Sequence, residues 1–155
     1  MRQRGHAYAF RVGTPSLQDP LRGSCMCGGV RYELVEPFAR AGFCHCSRCR
    51  KVTGHPASFN GVVPRSGFRL LAGEELLAVY AVPGDAKAAV FCRVCGSSLF
   101  RAEWPDGPWV GVRLGTLDDD PGVAAQYHIF VDPDAAWDLL AEDGLPRYPG
   151  RPGQA

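Results

Sequence analysis

The chain has 155 residues, 46% of them hydrophobic, enough for one packed core and too few for two comfortable domains, so a single domain is expected. Seventeen Lys and Arg stand against 16 Asp and Glu, and a net charge of +1 excludes a general field that would recruit nucleic acid or an anionic membrane. No window approaches the roughly 18 apolar residues of a membrane span, and the basic start Met1 to Arg4 is not followed by an apolar signal core, so a soluble, cytoplasmic protein is the expectation.

Thirteen Pro and 19 Gly predict many turns between short strands, hence a mainly β fold with short helical turns. Residues 1–21 have little periodicity and read as a loose leader, with Thr14-Pro15-Ser16 and Asp19-Pro20 breaking any regular element. From Gly23 the pattern sharpens. Val30, Tyr32 and Leu34 alternate with Arg31 and Glu33, the period of a strand with one buried face. A second strand includes Ala41 to Cys44, after which Ser47 caps a short helical turn through Arg48, Cys49 and Arg50. Strands then recur at Ala57 to Val63, Phe68 to Leu71, Leu76 to Val82 and Lys87 to Phe91, as in a meander of antiparallel strands. Ser98 to Ala102 and Trp109 to Leu114 continue the series, and Tyr127 to Val131 closes it. Asp132-Pro133 starts a short helix through Trp137 and Leu140, with an extended Pro- and Gly-rich ending; the domain is placed at 22–150 and a tail at 151–155.

The seven cysteines are the strongest signal. Their number is odd, and without a secretion signal the thiols should stay reduced, so disulfides are the weaker reading. They cluster as Cys25-x-Cys27, Cys44-x-Cys46-x-x-Cys49 and Cys92-x-x-Cys95, spacings that let neighbouring sulfurs converge on one metal ion. Gly28-Gly29 after Cys27 and Gly96 after Cys95 allow the sharp turn such a knuckle needs. Seven divides into four plus three: a closed four-thiolate structural zinc, and a three-thiolate zinc with an open position for substrate. A first pairing of Cys46-x-x-Cys49 with Cys92-x-x-Cys95 would leave Cys25, Cys27 and Cys44 scattered. The contiguous Cys44, Cys46 and Cys49 make the better open site, and Cys25, Cys27, Cys92 and Cys95 the closed one.

Three motifs carry a family resemblance: Gly23-Ser24-Cys25-Met26-Cys27-Gly28-Gly29-Val30, Cys44-His45-Cys46-Ser47-Arg48-Cys49-Arg50-Lys51, and Phe91-Cys92-Arg93-Val94-Cys95-Gly96. Together with His128-Ile129-Phe130-Val131, Ala136-Trp137 and Gly144-Leu145-Pro146, they make residues 22–150 resemble the glutathione-dependent formaldehyde-activating enzymes, a family that includes centromere protein V. The resemblance implies an Mss4-like fold of antiparallel β-sheets stapled by structural zinc on Cys25, Cys27, Cys92 and Cys95. It also implies a catalytic zinc on Cys44, Cys46 and Cys49, hence two Zn²⁺ per chain, and carbon–sulfur lyase activity joining formaldehyde to glutathione as S-hydroxymethylglutathione. A small-molecule thiol and an aldehyde are the partners so implied.

Other features have blander alternatives. His45 lies between two candidate ligands, but neighbours on an extended segment point in opposite directions, so it is left out of the ligand set. Arg48, Arg50, Lys51 and Arg93 are candidates for glutathione carboxylates or ordinary surface charge. His55 in Gly54-His55-Pro56 reads as a turn before it reads as a proton shuttle. Trp104, Trp109 and Trp137 read as packing residues, with Trp137 expected in the core, and Asp118-Asp119-Asp120 as a solvated loop. A zinc-stabilised binding module without catalysis, and a thiol-based sensor, are the competing functional classes. The contiguous trio argues for the enzyme, because a binding module needs only the closed site.

Overall fold

The computed structural model describes residues 14–131, 137, 140 and 142–152. Much of the expected leader, and the expected helix from Asp132 except for Trp137 and Leu140, lie outside them. No helix among the described residues is long and apolar enough to cross a membrane.

The fold is mainly β. A small sheet in the order β1-β2-β5 joins Leu21–Ser24, Arg31–Leu34 and Phe68–Ala72. The large sheet contains β3 (Arg40–Cys44), β4 (Ser58–Pro64), β6 (Leu77–Ala81), β7 (Ala88–Cys92), β8 (Ser98–Ala102), β9 (Trp109–Arg113), β10 (His128–Ile129) and β11 (Arg147–Tyr148). Its order is β11-β10-β3-β4-β9-β8-β7-β6. The expected meander is therefore confined to β6 through β9. Chain order is broken where β2 pairs with β5 and β4 with β9. The closing strand β10 runs parallel to both β3 and β11. Neither β1 nor β11 was anticipated; both are short, and β11 has only two paired residues to carry an alternation.

The two sheets meet over one core. Tyr32, Leu34 and Phe68 of the small sheet pack with Phe100, Val110, Val112 and Val63 of the large one, all at most 3% exposed. Phe100 meets the rings of Tyr32 and Phe68 edge-on, each at 4.9 Å between centroids, and stacks on Trp104 at 5.6 Å. Trp104 is half-buried and packs against the core, as expected of a packing residue. Trp137 is not: it is 65% exposed, with the Arg50 guanidinium 5.4 Å above its ring. The ring finds a cation rather than an apolar pocket, an arrangement that leaves an indole at the surface.

Pairing across β3, β4, β9 and β8 fixes what the opposite face of the large sheet presents. Cys44 faces Ser58, Gly42 faces Asn60 and Arg40 faces Val62; Asn60 in turn faces Arg113, Val62 faces Gly111, and Gly111 faces Arg101. Directly paired residues point to the same side of a sheet, so these side chains share a face.

Candidate metal centres

Two hairpin turns build the first cluster. Cys25 and Cys27 lie in the turn between β1 and β2, while Cys92 ends β7 and Cys95 sits in the turn to β8. The Gly28 amide donates to the Cys25 carbonyl and the Gly96 amide to the Cys92 carbonyl, both at 2.8 Å, and both glycines have φ near +75° (74° and 75°). In both turns the glycine directly after the last cysteine takes the left-handed region that a side chain disfavours. The Met26 amide donates to Ser97 Oγ at 2.9 Å, tying one knuckle to the other.

The four sulfurs lie within 4.8 Å of one another. Cys25 and Cys27 are 3.4 Å apart, Cys27 and Cys92 3.9 Å, and all seven cysteines are free thiols. Zinc–sulfur bonds of about 2.3 Å in a tetrahedron would set sulfurs about 3.8 Å apart, so the group fits a four-coordinate metal site. The Ser97 hydroxyl, followed by its backbone amide, draws the Cys95 thiol down to about 5. One knuckle extends from the small sheet and the other from the large sheet, so a metal here would crosslink the two layers.

The second cluster is contiguous in sequence. Cys44 ends β3, Cys46 follows after one residue, and Cys49 lies in the first turn of α1 (Ser47–Thr53). The expected cap was Ser47; the residue that caps the helix is Cys46, whose sulfur accepts the Cys49 amide at 3.4 Å. A thiolate can fill the role usually taken by an oxygen because it presents the same lone pairs to an unpaired amide. Cys44 and Cys46 sulfurs are 3.6 Å apart, and all three lie within 4.8 Å of one another. Hydrogen bonds from Cys44 and then Cys49 pull Cys46 down to about 2, and the same pairing pushes Cys44 up. A metal bound by the trio would take the place of the thiol protons. Among the described residues no further His, Cys, Asp or Glu joins this group, so its donor set fits a metal with a position left for another ligand.

His45 is buried between these ligands and does not join them. Its Nε2 lies 2.9 Å from His128 Nδ1, and His128 Nε2 donates to Asp143 Oδ2 at 2.8 Å. This chain ties the segment between Cys44 and Cys46 to the C-terminal part of the protein. His55 closes the turn after α1 by donating from Nδ1 to the Ala57 carbonyl at 2.8 Å. Asp118 and Asp119 are exposed, as expected of a solvated loop, and accept from Ser24 Oγ and the Arg22 amide, each at 2.8 Å, which secures β1.

The trio opens on a cleft of about 660 Å³, a size that suits a small-molecule ligand. Arg40, Arg48, Lys87, Arg101, Arg113 and Arg151 line it, with Asp85 the one carboxylate among the described lining residues. Of the basic residues singled out from sequence only Arg48 is there; Arg50 covers Trp137, and Lys51 and Arg93 lie outside the cleft. Asp85 pairs with Arg48 at 2.6 Å and also with Arg101. Burial pushes its carboxyl up, but the Lys87 amide, Arg101 and Arg48 outweigh it and hold it below the usual range. Lys87 is pushed down by burial and then by Arg151 and Arg40.

A carboxyl depressed in the folded state contributes stability that is complete above the unfolded pKa near 3.9 and lost as pH falls through the lower folded value. Asp85→Asn is therefore expected to cost about 1 kcal/mol at neutral pH, with the gap to the parent closing on acidification. Urea melts at a series of pH values below about 5 will read this; a gap independent of pH would mean that the carboxylate's charge is not what matters.

Arg113, at the end of β9, is a buried cleft residue that sequence reading passed over, as it did Arg40, Lys87, Arg101 and Arg151. It is 5% exposed, donates from Nη1 to Ser58 Oγ at 2.5 Å and to Asn60 Oδ1, and lies 4.0 Å from Cys49 Sγ. Asn60 and Arg113 are register partners, so the guanidinium runs back along β4 toward Ser58, the partner of Cys44.

Fold and site together define a β domain carrying two cysteine clusters of metal-binding geometry, one closed and one open on a basic cleft. The family model described as glutathione-dependent formaldehyde-activating enzyme matches residues 20–133, and the chain belongs to that family. A Halomonas elongata protein named "Putative glutathione-dependent formaldehyde-activating enzyme" is 29% identical over 128 residues, spanning 76% of this chain and 78% of that protein. A crystal structure of a Rhodobacter sphaeroides protein, a structural-genomics target, superposes with a TM-score of 0.54 at 25% identity, covering 83% of this chain and 99% of the other.

Proposed function

We propose that the protein is a zinc-dependent carbon–sulfur lyase that forms or cleaves an adduct of glutathione with an aldehyde, such as S-hydroxymethylglutathione. The observation that carries this reading is the placement of the three-cysteine cluster on a cleft whose lining is rich in cations. In this reading Cys25, Cys27, Cys92 and Cys95 hold a structural zinc, and Cys44, Cys46 and Cys49 a catalytic one. Bound at the trio, zinc supplies a site that keeps a substrate thiol deprotonated at neutral pH.

The chain's own residues do the rest. Arg40, Lys87 and Arg151 offer positive charge for the carboxylates of a thiol such as glutathione, while Asp85 holds Arg48 and Arg101 in place. Fixing the thiol at both ends places its sulfur for attack, an advantage of position rather than of raised nucleophilicity. In the forward direction a sulfur lone pair forms the C–S bond, the carbonyl π pair moves to oxygen, and that oxygen takes a proton from solvent at the cleft mouth. Cleavage is the reverse. The seven free thiols suit the reducing cytoplasm, where we place the protein.

Exchange spectroscopy on formaldehyde, glutathione and their adduct, with and without zinc-loaded protein, tests the assignment. Exchange faster than the spontaneous background is expected. A protein that binds zinc and glutathione yet leaves the background rate unchanged would be a binding module, and the lyase reading would fall.

A further inference from the structure

We propose that Arg113 sets the ligand preference of the three-cysteine site, selecting an anionic sulfur over a neutral donor as the ligand added to the trio. The inference rests on the reading of Cys44, Cys46 and Cys49 as an open metal site, and goes beyond it by naming the residue that decides what the open position accepts.

The argument begins with an unbalanced charge. A guanidinium stays protonated in any protein environment, and Arg113 is 5% exposed. Its partners Ser58 and Asn60 are neutral, and its Nε is buried without a partner. Among the described residues no carboxylate pairs with it, and Asp85 is engaged with Arg48 and Arg101. A buried cation without a counter-charge is costly, so the compensating charge must lie in the site itself. The nearest group able to carry it is Cys49, whose sulfur is 4.0 Å from Nη1.

Formal charges then decide the preference. A divalent metal with three thiolates totals minus one, and Arg113 brings the assembly to zero. An added thiolate raises it to minus one, whereas without Arg113 it would reach minus two. A neutral donor changes neither total, so Arg113 favours the thiolate selectively. The planar fork, held by Ser58 and Asn60 from the adjacent strand, keeps the charge beside the trio without reorganisation on binding.

The test uses the full-length protein loaded with cobalt(II), whose absorption reports ligands added at the trio, and two probes: 2-mercaptoethanol, a thiol without carboxylates, and imidazole, a neutral donor. Metal content is measured in every sample. Arg113→Met is expected to bind the thiol at least about tenfold more weakly, the scale of one unit charge lost at a partly buried site, with imidazole affinity unchanged. Arg113→Lys, which keeps the charge, is expected to retain most of the thiol preference and carries the comparison should the Met variant lose its metal. Equal weakening toward both probes would make Arg113 a structural residue, and unchanged thiol binding by Arg113→Met, or loss of the preference in Arg113→Lys, would equally overturn the proposal. Wild-type protein that takes cobalt at only one site, or adds no thiol, would sink the open-site reading itself.

Discussion

Cys92→Ser is expected to leave no cooperatively folded protein at ambient temperature. Cys92 is fully buried, ends the strand β7, and stands in the cluster that joins the knuckle of the small sheet to that of the large one. Metal binding at small structural sites is worth about 10–16 kcal/mol, as much as the roughly 5–15 kcal/mol net stability of a whole domain. A serine hydroxyl is a poor zinc ligand at neutral pH, so most of that linkage goes with the sulfur. Circular dichroism melts and metal analysis will read the result: no cooperative transition and a deficit of zinc. A variant that melts like the parent would remove the structural role from this cluster.

Cys46→Ser/Cys49→Ser is expected to do the opposite, retaining the fold and abolishing the exchange chemistry. Ser is a good N-cap, so position 46 keeps an acceptor for the Cys49 amide, and Ser at 49 differs from Cys by one atom in a buried place. The melting temperature should stay within about 5 °C of the parent, the shift of about 1–2 kcal/mol in a domain of this size. Zinc should fall from about two ions to about one, and catalysis to background. Accelerated exchange by this variant would refute a catalytic role for the trio, whatever its metal content.

Both variants were legible in the sequence because short cysteine spacings are a local property: Cys44, Cys46 and Cys49 cannot be far apart in any fold. The joining of Cys25-x-Cys27 to Cys92-x-x-Cys95 came from counting ligands and from the family resemblance rather than from spacing, and the structure supplies the reason, since Ser97 bridges the two turns. The cleft was not legible. The strand expected over Trp109 to Leu114 holds the buried Val110 and Val112, but a charged residue in such a strand is assigned to solvent by default, and Arg113 is buried. That default fails because the second face of the large sheet lines a cleft, where charge is sheltered and used. Arg40 and Arg101 were missed in the same way. Trp137 shows the converse error, aromatic bulk mistaken for core when a cation covers the ring. The pairing of β10 with β3 is likewise a long-range matter that two-residue strands do not announce.

The dependence of the cleft on late residues has a consequence for how the molecule comes into being. Every sulfur of the interlayer tie has been made once synthesis passes Cys95, whereas the wall around the other trio waits for Ile129, Phe130 and Arg151, and its latch for His128 and Asp143. A chain emerging from the ribosome thus carries every sulfur of that tie before the residues of its working hollow are complete. The scaffold's fastening precedes, in order of synthesis, the wall of the chamber.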